Sequence, residues 1–241
     1  MAICKLCLEE KKLIKAHLIS DSILKRINGE NRRHISAELH NLDNHKTMQG
    51  GYWDKDILCQ SCDNTFSPSE QYFLSFINER VNSPDEIIRT PDGEILIYND
   101  IDETKFRLFP LITLWRLAIS KTHSGEGVSL GILEEMVYDC VKQLNPGPYD
   151  FFPFSIYSFK DLNDGRARFI GSALPLKING FKYYILPISD FIIVIRAGKN
   201  VSESIVSTSI RNNRLEIINL IGRSGTIFLD AMFSSIKAFP R

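Results

Sequence analysis

The chain has no net charge. Its 29 Lys/Arg offset 29 Asp/Glu over 241 residues, which excludes a protein whose whole surface is a polyanion-binding field and leaves only local basic patches. It also lacks a long apolar run. The longest stretch, 183–197, is interrupted by Pro187, Ser189, Asp190 and Arg196, so nothing reaches the roughly 18 apolar residues of a membrane span. The opening MAICKLCLEEKK carries cysteines and charges where a secretory signal has an apolar core. A cytoplasmic protein with no membrane partner is the expectation. There is no phosphate loop, no dinucleotide-binding glycine pattern and no nucleophile-elbow serine. Internal repeats and low-complexity segments are absent too. Cysteine is scarce, at five residues. In a reducing compartment, paired cysteines mean metal or redox chemistry rather than disulfides.

What is present falls into three parts. Residues 1–82 hold four of the cysteines and four of the five histidines, with nine Lys/Arg against six Asp/Glu up to Lys46. This reads as a small domain organised by metal more than by an apolar core. Residues 83–148 read as a helical segment, and residues 149–241 as a β-rich region. In the first part, Ser67-Pro68 with Glu70 three residues on predicts a capping box opening a helix that ends near Asn82. A strand is expected over 94–99 and a helix over 102–120, with Pro110 kinking it or ending its first part. Ser129 caps a third helix whose inward face is Ile132, Leu133, Met136, Val137, Cys140, Val141 and Leu144. Strands follow over 154–159, 166–173, 181–187, 191–196 and 215–221, with turns at Asn163-Asp164-Gly165 and Asn179-Gly180 and a last helix over 226–237. The class is α+β, with the strands antiparallel.

The chemistry concentrates in Cys4-x2-Cys7 and Cys59-x2-Cys62. Each pair puts two thiolates on one tight turn, and two such knuckles supply the four ligands of tetrahedral zinc. The 51 residues between them are no obstacle, since loop-closure cost grows slowly with length. A redox pair would need a thioredoxin-like strand-to-helix setting, which neither knuckle has. Cys140 lies on an apolar helix face and reads as core. Trp115 and Arg116, inside an apolar helix, read as core and a buried ion pair.

His17 stands ten residues after Cys7 in Leu13-Ile-Lys-Ala-His-Leu-Ile-Ser20, at the end of a short hairpin growing from the first knuckle. A CxxC, ten residues to a histidine followed by two aliphatics, then a distant CxxC resembles the zinc-stapled HNH endonucleases of ββα-metal fold. The resemblance covers about residues 1–75. His17-Leu-Ile-Ser20, Cys62-Asp63 and Phe109-Pro-Leu-Ile-Thr-Leu-Trp-Arg116 are similar to stretches of uncharacterised bacterial HNH-like proteins found among mobile-element and phage-defence genes. The resemblance implies a structural zinc, a general base at His17 and a divalent ion, Mg²⁺ or Mn²⁺, beside it at the scissile phosphate of DNA or RNA. It also implies a protein partner from a multi-gene system. The pattern is incomplete: the family has an acid or His where this chain has Ala16, and His or Asn, then His, where it has Asp63 and Ser67. The catalytic residues it leaves are His17, Asp63, Asn64 and Glu70. Lys25, Arg26, Arg32 and Arg33, in the insert between the knuckles, are the phosphate contacts such a nuclease needs. Each has a plainer reading. Glu70 completes the capping box, Asp63 and Asn64 suit a turn after a knuckle, and the four bases suit a solvated loop. His17 suits a zinc module that has lost catalysis and binds nucleic acid or a protein partner.

Overall fold

The structure is a computed structural model that describes residues 1–28, 33–38, 41–49, 51–122, 128–162, 169–178, 180–197 and 209–237. The expected turn at 163–165 and Arg32 lie outside these residues.

The N-terminal part is built from short pieces because its sequence has few β-branched runs. β1 (Ala2–Ile3) pairs with β2 (Glu10–Lys11) around the first knuckle. β3 (Ala16–His17) pairs antiparallel with β6 (Trp53–Asp54), Ala16 facing Asp54 and His17 facing Trp53. Between them lie α1 (Asp21–Asn28) and the antiparallel pair β4 (Arg33–Glu38) and β5 (Asn41–Gln49). After the second knuckle, α2 (Gln60–Asn64) turns into α3 (Ser67–Ser75), which widens into a π turn at Phe76–Arg80. The predicted capping box does not form. Phe66 is already helical at φ −86°, ψ −18°, and its carbonyl takes the Ser69 and Glu70 N–H groups at 3.1 and 3.2 Å. No orphan donor is left for Ser67, and the Glu70 side chain goes elsewhere.

β7 (Glu86–Thr90) and β8 (Gly93–Tyr98) form a hairpin about Pro91-Asp92. β8 is the predicted strand; β7 was not foreseen. The hairpin joins the strands of the C-terminal part: β9 (Phe154–Ser158), β10 (Phe169–Ile170), β11 (Leu174–Ile178), β12 (Phe181–Ser189), β13 (Phe191–Ala197), β14 (Ile210–Arg211) and β15 (Arg214–Leu220). Together they make a nine-stranded sheet of order β10-β12-β13-β9-β15-β8-β7, with β11 on β12 and β14 on β15. All pairs are antiparallel except β15 with β9. The fold is mixed α+β, dominated by this sheet. Gly93 is required where β8 begins: at φ +151° an added Cβ would lie 2.2 Å from the Asn219 carbonyl oxygen.

Both faces of the sheet are covered. On one, α4 (Glu103–Ile119) and α5 (Glu134–Lys142) pack together with α3, and one continuous core runs from Cys4 and Leu18 through Phe73, Phe109 and Trp115 to Ile193 and Ile217. On the other, α6 (Gly222–Lys237) buries Leu229 and Met232 against Phe159, Ile192 and Leu220. Pro110 does not end α4, which runs on to Ile119; every residue from Phe106 to Leu117 is buried, and that packing outweighs one missing hydrogen bond. Ile132 does not face inward but is 96% exposed. Gly131, at φ +57°, and the 3-10 turn at Gly131–Leu133 put Ile132 ahead of α5, which starts at Glu134; within α5 the expected Val137, Cys140 and Val141 are buried, with Leu133 and Met136 packed against the core, while Leu144 is exposed.

Asp54 joins the N-terminal strands to the C-terminal end of α4. It accepts from Ser120 Oγ at 2.7 Å, Lys121 N–H at 3.2 Å and Asp56 N–H at 2.8 Å. Burial pushes its pKa up, but these hydrogen bonds outweigh burial and hold it below the ordinary value of 3.8. Asp54→Asn is expected to cost ~2–3 kcal/mol in urea unfolding. The depressed carboxylate stabilises above its unfolded pKa and loses that only as pH falls through the lower folded value. The deficit is therefore expected to stay constant from about pH 8 to about pH 5; a deficit that shrinks within that window would refute this account.

Candidate metal centre and the histidine beside it

Four sulfurs meet at the seam between the two knuckles. The ligand atoms of Cys4, Cys7, Cys59 and Cys62 all lie within 4.8 Å of one another, and none is in a disulfide. Zinc–sulfur bonds of about 2.3 Å put tetrahedral sulfurs roughly 3.8 Å apart, so the cage is of the right size to hold a metal ion. Backbone contacts hold the two halves together. Lys5 N–H donates to Ile57 O at 2.8 Å, Ile14 N–H to Leu58 O at 2.9 Å, and Leu13 bridges Cys59. The Cys59 N–H donates to Cys4 Sγ at 3.4 Å, an amide–thiolate contact typical of knuckles. Burial raises the Cys59 thiol, but the Ser61 hydroxyl, the Cys62 N–H and the neighbouring sulfurs bring it down to about 6. Burial and the same neighbouring sulfurs push Cys62 up instead. Four clustered thiols cannot all ionise unless a cation shares the charge, which is what this donor set suits. Among the described residues, these cysteines are the one group of three or more Cys, His, Asp or Glu that converges in this way.

His17 sits on the outward face of β3; Ala16 and Asp54 face inward and are buried. Its Nε2 lies 3.9 Å from Asp21 Oδ1, on the first turn of α1. Burial lowers the imidazole pKa below 6.5, Asp21 and Asp63 oppose this, and Lys15 and Arg116 add to it. His17 is therefore neutral at pH 7 and able to accept a proton.

The other predicted residues divide. Asp63 and Glu70 are brought together, but on Arg116. The guanidinium reaches Asp63 Oδ1 at 2.7 Å with one nitrogen and Glu70 Oε1 with the other. Arg116 is only 2% exposed and lies over the Phe66 ring at 4.8 Å. It is the buried ion pair anticipated for this position, with partners 53 and 46 residues away. Asn64 turns aside and accepts from Gln60 Nε2 at 2.8 Å. Arg26 is engaged within the fold. It binds both oxygens of Asp190, in the turn between β12 and β13, at 3.3 and 3.4 Å, and Asn78 at 3.1 Å. Lys25 is half-buried beside it, and Arg33 opens β4.

Two residues near His17 escaped the sequence reading. Asp21 was legible as the i, i+4 neighbour of a histidine. Trp53 was not, because only the β3–β6 register sets it opposite His17. Comparison with protein families, with curated proteins and with solved structures finds no match to this chain.

Proposed function

We propose that the N-terminal part is a zinc-stapled HNH-like nucleic-acid module in which His17 is the general base of phosphodiester hydrolysis. One observation carries this reading. His17 lies on the first strand of an antiparallel pair whose second strand leads straight through Cys59 and Cys62 into helices α2 and α3. That β–β–α order, with a half-exposed neutral histidine on the first strand, is what the sequence resemblance implies. In the proposed reaction the imidazole takes a proton from water as the water oxygen bonds to phosphorus and the P–O bond to the leaving oxygen breaks. Asp21, 3.9 Å from Nε2, stabilises the imidazolium that results. Zinc is the metal proposed for the cysteine cage, with a structural role.

A catalytic divalent ion fits less well. Asp63 and Glu70 each commit an oxygen to Arg116, and with His17 they do not converge as the cysteines do. No step is routed through such an ion. This same observation favours a second reading: a module that keeps the scaffold and binds nucleic acid, or a protein partner in a phage-defence setting, without cutting.

Incubating the protein with plasmid and with RNA in Mg²⁺ and in Mn²⁺, beside His17→Ala, separates the two. Cleavage by wild type and loss of at least about a hundredfold in His17→Ala supports the nuclease. Binding without cleavage in either ion retires it in favour of the second reading.

A further inference from the structure

The outward face of β3–β6 carries more than His17. Its cross-strand partner is Trp53, which is 38% exposed and the one aromatic among the exposed large hydrophobic residues described. The chain's other tryptophan, Trp115, is 1% exposed. Lys15 Nζ sits 4.0 Å from the Trp53 ring centroid, and Lys15 is close enough to His17 to lower its pKa. An ammonium, an indole and an imidazole thus share one small surface, with the exposed Lys55 just beyond it.

The geometry points to Trp53 and Lys15 as a stacking and phosphate-holding subsite for single-stranded nucleic acid. It rests on the nucleic-acid reading of this module and names its substrate class. An exposed indole offers a π face to any base, which is how sequence-tolerant single-strand binders hold their ligand. A base inside a duplex has both faces covered by its neighbours and cannot use it. Lys15 holds the ring from one side and supplies a positive charge for the adjoining phosphate. Residues directly opposite in an antiparallel pair are about 5 Å apart, so a base on Trp53 brings a neighbouring phosphate to His17. Asp21 and Asp63 also face His17. They repel phosphate on that side and leave the Lys15 side as the favoured path of the strand.

The test uses the full chain in the His17→Ala background, so that nothing is cut. Fluorescently labelled oligo-dT, oligo-U and a DNA duplex serve as probes. Either single strand is expected to bind more tightly than the duplex and to quench tryptophan emission. Trp53→Ala is expected to weaken single-strand binding by roughly tenfold or more, Trp53→Phe to restore most of it without the quench, and Lys15→Gln to reduce its salt dependence. Metal content and thermal melting of each variant show that it is folded. Unchanged binding by Trp53→Ala, preference for duplex, or no binding to any probe overturns the inference. The outcomes stay separable from those of the catalytic reading. Absence of cleavage in native protein, with single-strand binding lost on Trp53→Ala, leaves this subsite standing and removes only the enzyme. Cleavage with Trp53→Ala binding normally does the reverse.

Discussion

Removing the metal from the four-cysteine cage is expected to unfold the N-terminal part of the chain. Cys4, Cys59 and Cys62 are all buried and belong to the same core as Leu6, Leu18, Ile57 and Leu58. The backbone between the knuckles runs through 51 residues, and the local strands are only two residues long apart from the β4–β5 pair. Single backbone contacts such as Lys5 N–H to Ile57 O and Ile14 N–H to Leu58 O also close that loop, and the metal is expected to outweigh them. Structural zinc contributes ~10–16 kcal/mol in small zinc domains, against a typical whole-domain stability of ~5–15 kcal/mol. Purified protein is expected to hold about one equivalent of zinc by elemental analysis. Cys62→Ser is expected to lose it, together with cooperative unfolding of this part. Cys140→Ala, buried on α5 and outside the cluster, should leave metal content unchanged. If chelator-treated protein melts as the untreated protein does, the cage has no structural role.

Replacing Arg116 is the second large effect. Arg116→Met keeps the volume and the contact with Phe66 but leaves Asp63 and Glu70 as neighbouring carboxylates without their shared cation. Breaking a buried ion pair from one side costs ~3–5 kcal/mol. In a chain of this size that is a drop of roughly 6–20 °C in Tm. Neutralising the stranded acids as well, in Arg116→Met with Asp63→Asn and Glu70→Gln, should recover much of the loss, because an apolar or neutral replacement of a whole buried pair is often tolerated. A coupling energy below about 0.5 kcal/mol between Arg116 and Glu70 would show that the two do not act as a unit. The variant also bears on function. With Arg116 gone, Asp63 and Glu70 lose their shared partner, so any gain in Mg²⁺ or Mn²⁺ dependence would mark the arginine as what keeps a second metal out.

Much of this architecture is local and was therefore readable. α4 begins where Asp102 accepts the Lys105 N–H at 3.0 Å, a cap of the kind the Asp-before-apolar-run pattern predicts. β9, β12, β13 and β15 follow from alternating β-branched and aromatic residues. Where the reading failed, a neighbour in space overrode a local signal. Ser67-Pro68 does open α3, but its expected capping box gives way because the Phe66 carbonyl already takes the Ser69 and Glu70 N–H groups. Glu70 looked like a cap and went to Arg116. The segment over 86–90 carried no strong strand pattern, being exposed throughout; β7 forms because β8 gives it a ladder to pair with.

The sequence by itself determined the four thiol donors. Each CxxC puts two of them on one tight turn whatever the fold, because the ligand type and the turn are both local. It also determined that Arg116, in the middle of an apolar helix, must be paired, since a lone buried cation is too costly to keep. Which acids pair with it was decided only by the tertiary structure. Asp63 and Glu70 are about fifty residues away, on helices whose packing against α4 is set by the Phe66, Phe73 and Phe109 contacts. The same packing decided that two expected metal ligands serve an arginine. It also fixed the register that puts Trp53 beside His17, because strand pairing depends on which chains meet and not on what either strand encodes alone.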